Sequence, residues 1–177
     1  LMIRLDRTHE AGEVLTIRIA YRTNHINEAD PNNLGGSNGK GLRFFGPTST
    51  EPIKRRQIWS MGEFASNRYW FPGYDAPDDF RTFEMKATVP TPMTVISNGE
   101  LVSTASNADG TRTFHWKMGT PHPNHQTTFV AGEYVEVKQS WDGIPIHSFS
   151  YPDEVEGTAA SVVRVPDMMR FFSEVTG

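Results

Sequence analysis

The sequence predicts a mainly β chain, an antiparallel β-sandwich or saddle-shaped curved sheet, with a helical segment at its C-terminal end. Three observations carry this. Short runs of alternating apolar and polar residues recur along the chain as far as Ser150. Turn dipeptides such as Asn98-Gly99 and Asp109-Gly110 punctuate them at short intervals. After Tyr151 the apolar spacing changes to three and four, the period of a helix.

In chain order, Met2, Ile3 and Leu5 already read as strand. Leu15, Ile17, Ile19 and Tyr21 then share one face of a predicted strand over 14–21. Residues 24–41 are rich in Asn, Gly, Asp and Pro and read as a long surface loop. Short strands are expected over 41–45 and 56–60. Residues 75–80 read as one helical turn, with Asp75 as N-cap and Pro77 in the first turn. The run 82–89 alternates, with Phe83, Met85, Ala87 and Val89 inward. Strands at 94–97 and 100–103 flank Asn98-Gly99, which reads as a hairpin turn. Residues 107–110 form a second turn before a strand at 111–118, and 126–138 and 144–149 add two more. Over 154–174 a helix is expected, with Val162, Val165, Met169 and Phe172 on one stripe. Pro166 disfavours helix at Val165, so a kink or two helices in series are predicted. The organisation expected is a β domain over 1–150, incomplete at its start, followed at 151–177 by the truncated start of a helical domain.

Composition narrows the function classes. The chain has 177 residues, a net charge of −4 and no cysteine. A pI near 5.9 gives no broad basic field, which argues against nucleic acid. The one basic cluster, Lys54-Arg55-Arg56, reads as a solvated strand edge. No apolar run is long enough for a membrane span. Without cysteine there is no disulfide framework, thiolate zinc site or cysteine nucleophile. No His-Glu-x-x-His, Gly-x-Ser-x-Gly or phosphate-binding glycine loop occurs. His122 and His125 stand three apart with His115 nearby, but in a Pro-rich loop, and no bound metal is expected there. The chain by itself is expected to be catalytically inert.

The most informative stretch is 57–89, where Trp59, Tyr69, Trp70, Phe71 and Tyr74 surround Glu63 and Arg68, ahead of Asp75-Ala76-Pro77. Glu63 follows a predicted strand and Gly62, a residue that lets backbone approach closely. A carboxylate at the end of a closed pocket can hold an ammonium, because a buried ammonium needs charged acceptors. The plain alternative is an exposed loop carboxylate, or a structural partner of Arg68. Arg68 and Asp75 read as scaffold, and Trp59, Trp70 and Phe71 as core, although interleaved aromatics can also form a carbohydrate groove.

This segment resembles the zinc aminopeptidases of the aminopeptidase N family. Their glutamate stands five residues before an arginine and twelve before the aspartate of an Asp-x-Pro turn, the spacing of Glu63, Arg68 and Asp75. The likeness extends to 15–21, Gly41-Leu42, 83–90, Ser97-Asn98-Gly99, 129–134 and 168–177. It implies the latter part of the family's amino-terminal β domain and the first helix of its catalytic domain. By the resemblance, Glu63 would receive the free amino terminus of a peptide substrate, with Gly62 and Met61 beside it and Arg68, Asp75 and Pro77 as structural support. Met61 stands where the family often has Gln, which implies tolerance of bulky apolar first residues, unless it simply packs. Gly73 and Ala76 replace the family's usual Cys and Glu, in the turn. The zinc ligands expected in the full-length parent would lie beyond Gly177, in the missing catalytic domain, and this segment would bind none. Two other readings stay open: a non-catalytic scaffold relative of the family, and a β-sandwich module for carbohydrate whose likeness is accidental.

Overall fold

The computed structural model describes residues 3–23, 41–63 and 65–177. The loop expected at 24–41 therefore falls outside the described residues except for Gly41. Among the described residues are nine strands: β1 (Gly41–Phe45), β2 (Gln57–Met61), β3 (Phe80–Pro90), β4 (Thr94–Ser97), β5 (Glu100–Ser106), β6 (Thr111–Pro123), β7 (Phe129–Gly132), β8 (Val135–Trp141) and β9 (Ile144–Ser150). Two helices follow, α1 (Val155–Val162) and α2 (Val165–Thr176). Every strand pair is antiparallel. One sheet runs β1-β2-β7-β4, a second β3-β6-β5, and β8-β9 form a ribbon.

The core lies between the first two sheets. Val95, Phe129 and Ala131 come from one, Val89 and Phe114 from the other. Leu42, Ile58, Trp70, Met85 and Trp116 pack around them. The alternation in β3 explains its face: Phe83, Met85, Ala87 and Val89 are covered, while Glu84, Lys86 and Thr88 face water. The Trp116 indole N–H donates to the Val95 carbonyl at 3.1 Å, tying the second sheet to the first.

Four local expectations are corrected. The run 14–21 has no regular secondary structure and joins no sheet among the described residues, and Leu15, Ile17, Ile19 and Tyr21 are exposed. Alternation chooses a face; a strand also needs a neighbouring ladder. Asn98-Gly99 closes no hairpin, because β4 pairs with β7 and β5 with β6. A two-residue type I′ turn needs positive φ at both positions, and here only Gly99 has it. The Asn98 side chain instead bonds the Gln126 carbonyl and the Thr128 N–H, so the chain crosses between sheets. The single strand expected over 126–138 is a 3-10 turn at 124–126 followed by β7 and β8. Tyr134 N–H turns back onto the Gly132 carbonyl at 2.9 Å, and its ring lies where a Cβ at Gly132 would sit. Finally, residues 75–80 hold a single turn, closed by Asp79 N–H on the Ala76 carbonyl at 3.5 Å, but no helix, and Asp75 does not cap it because its side chain is engaged with Arg68 and Asn124.

The helical end matches expectation more closely. The helix is broken into α1 and α2, with Pro166 in the first turn of α2. Both helices pack on the β8-β9 ribbon. Val162, Val165 and Met169 are half-buried, but Phe172 is 59% exposed. Arg55 is not a free edge charge. Its guanidinium pairs bidentately with Asp153 at 2.7 and 2.8 Å, reaches Glu154 at 3.1 Å and lies over the Tyr151 ring. It thereby ties the β1–β2 loop to the entry of α1.

Hydrogen bonds from Arg55 hold the Asp153 carboxyl below its ordinary range. A lowered carboxyl pKa contributes stability that is present above the unfolded value and lost as pH falls through the folded one. The protection of α1 amides, their exchange relative to an unstructured chain at the same pH, is therefore expected to fall as pH drops below about 4, the ordinary carboxylate value. Arg55→Ala should produce the lower protection already at neutral pH and remove that pH dependence. An α1 whose protection is unchanged in the variant would show that this pair does not hold the helix.

Candidate functional site

Glu63 sits on the turn that leaves β2. The turn is closed locally: Ser66 N–H donates to the Gly62 carbonyl at 3.0 Å and Ser66 Oγ to the Glu63 carbonyl at 2.8 Å. Ala65 adopts φ of 62°, a conformation uncommon outside glycine. Gly62 is buried, and a Cβ there would stand 2.3 Å from the His125 carbonyl oxygen. The backbone of the 122–127 loop thus presses directly on the residue before Glu63, which only glycine permits.

Behind the turn lies a buried polar cluster. Asn67, fully buried, donates to the carbonyls of Asn124 at 2.5 Å and Thr127 at 3.2 Å, and accepts from the Trp70 indole at 2.7 Å. Asp75 is also buried, and one of its oxygens accepts the Arg68 backbone N–H at 2.9 Å and Arg68 Nε at 3.3 Å. Its other oxygen accepts from the Asn124 amide. Arg68 therefore pairs with Asp75 and not with Glu63. Among the described residues the Glu63 carboxylate has neither a hydrogen bond nor an ion pair, and it is exposed.

In front of the turn is a cavity of about 280 Å³ lined by Glu63, Ala65, Asp75, Ala76, Pro77 and His125. The structure thus brings Glu63, Asp75 and Pro77 to one wall. Gly62 lies behind it, and Met61, 38% exposed at the end of β2, does not line it. The chemistry available is an anionic carboxylate free to accept a cation at the mouth of an otherwise mainly apolar recess.

Sequence reasoning missed the buried amides Asn67 and Asn124, and His125 as a wall of this cavity. Pro123-Asn124 ahead of His125 was a turn signal, but nothing local shows that the turn docks against Gly62. The three histidines weighed as a metal set do not converge. Both His122 nitrogens are occupied, by the Thr120 carbonyl and Thr127 Oγ1, and His115 pairs with Glu84. Among the described residues no group of three or more His, Asp or Glu is placed to hold a metal. Trp70 packs on the core and against Phe129. Trp59 stacks on Phe45 under the Arg43 guanidinium.

Two curated relatives resemble part of the chain. Over 97 residues, 53% of this chain, it is 30% identical to transcription initiation factor TFIID subunit 2 of Gallus gallus. It is 28% identical to the protein of the same name from Danio rerio over the same length. The match spans 8% of each relative's length. The family model of the peptidase M1 N-terminal domain matches residues 1–125. With well over half of its length covered by that match, and with the antiparallel sheets described above, the chain belongs to the peptidase M1 N-terminal domain family.

Proposed function

We propose that this chain is the substrate-facing domain of a zinc-dependent aminopeptidase, in which Glu63 accepts the protonated amino terminus of a peptide. The observation that carries the reading is the exposed Glu63 carboxylate, without a partner among the described residues, at a recess beside which buried amides hold Asp75 and the 124–127 turn. An ammonium needs such an acceptor, and an acceptor already committed to an arginine would serve poorly. Zinc would supply the activated water for hydrolysis. No described residue is placed to hold it, and this chain's part is to bind and orient the substrate's amine.

A second reading, a non-catalytic scaffold relative, is favoured by the names of the two relatives, both subunits of a transcription initiation factor. The carbohydrate reading assumed an accidental likeness and falls with the family match.

The full-length protein, assayed on peptides with a free or an acetylated amino terminus, distinguishes the two that remain. Release of the first residue from the free peptide alone is the expected result. No release from either, with the protein folded, would turn the reading to the scaffold. Cleavage of both at similar rates would remove the amine-binding role.

A further inference from the structure

Asn124 links the segments that enclose the Glu63 recess, to Asp75 through its side chain and to Asn67 through its backbone carbonyl, and we propose that it is a positioning residue for the Glu63 carboxylate. The inference rests on the amine-binding reading of Glu63. Asn124 is 1% exposed and does not line the cavity, so it cannot touch a substrate held there. Its side-chain N–H donates to Asp75, whose other oxygen holds the Arg68 backbone N–H. Its backbone carbonyl accepts from the Asn67 side chain and from Thr127 N–H. Residues 62–70, 74–77 and 122–127 are therefore cross-linked through one amide residue. The neighbouring His125 carbonyl bears on Gly62, so any shift of this loop is passed to the residue before Glu63.

The residue type follows from these partners. Asp75 needs a neutral donor, since a carboxylate at position 124 would face another carboxylate. The amide also carries a cost. Asn124 Oδ1 is buried with no hydrogen-bond partner among the described residues. Unpaired buried polar atoms are uncommon, and local rules of this kind are broken most often where a site must be held in place.

A double-mutant cycle in the full-length enzyme tests this, with peptides carrying a free amino terminus as the probe. Asn124→Ala should raise KM about tenfold with kcat nearly unchanged, and should add no further loss in a Glu63→Gln background. Losses that multiply would overturn the proposal, because a merely structural defect acts independently of Glu63. If Asn124→Ala does not fold, Asn124→Ser, which leaves the Asp75 carboxylate in place and shortens its donor, carries the test. A KM raised in the wild-type background but not in the Glu63→Gln background supports the bridge. An unchanged KM, losses that multiply, or a variant that fails to fold overturns it. A Glu63→Gln enzyme with unchanged kinetics would instead remove the amine-binding reading, and this inference with it.

Discussion

Replacing Glu63 with Gln in the full-length protein is expected to lower kcat/KM for peptides with a free amino terminus by about 10- to 100-fold, mainly through KM. Gln keeps the length and shape of the side chain but removes its charge. Hydrogen bonds to charged groups contribute about 1.5–3 kcal/mol, and each 1.4 kcal/mol is a factor of ten. A loss confined to KM marks an interaction made equally with bound substrate and transition state. Because Glu63 is exposed and has no partner within the described fold, thermal stability should hardly change. Unchanged kinetics would remove the assignment. A fall of several degrees in Tm would make Glu63 part of the scaffold instead.

The second large effect concerns stability. Gly99→Ala should cost about 2–4 kcal/mol, overpacking added to the left-handed conformation, seen as a lower denaturation midpoint at unchanged m-value. Gly99 has φ of +83°, and a Cβ there would lie 2.1 Å from the Lys117 carbonyl oxygen and 2.7 Å from Met118 Cα. These are backbone atoms of β6 and cannot rotate away. Gly110 is the control, with φ of +80° but nothing within 4 Å of its Cβ position. Gly110→Ala should therefore cost only the left-handed conformation, about 1 kcal/mol. Equal losses in the two variants would show that crowding at the crossing between sheets is not what requires glycine. Such a loss would be a large share of the 5–15 kcal/mol typical of a folded domain.

The contrast between these glycines shows how much was legible in the sequence. Asn107–Gly110 reads as a hairpin turn and is one, joining β5 to β6, which are neighbours in one sheet. Asn98-Gly99 has the stronger turn dipeptide, yet it joins strands of different sheets. The local chemistry is similar; what differs is the pairing available to each strand, and pairing is not local. Asp75 teaches the same lesson. Ahead of Ala76-Pro77 it resembles a helix cap, and it is instead drawn inward by Arg68 and by Asn124, which lies 49 residues further along.

By itself, the sequence determined the class of fold, the covered face of β3, the change from strand to helix after Ser150 and the break at Pro166. All of these follow from the period of the chain or from the backbone limits of Gly and Pro, which act over a few residues. Glu63 was singled out differently, by the resemblance of its spacing from Arg68 and Asp75 to that of a known family. Only the tertiary structure decided which strands share a sheet, that the 14–21 run pairs with none of the described strands, and that His125 lines the same recess as Glu63. Those outcomes depend on contacts between distant segments, such as Phe129 N–H on Ser60 Oγ across 69 residues. Their free energy comes from burial and from satisfying polar groups at closure, and no short window of sequence contains both partners.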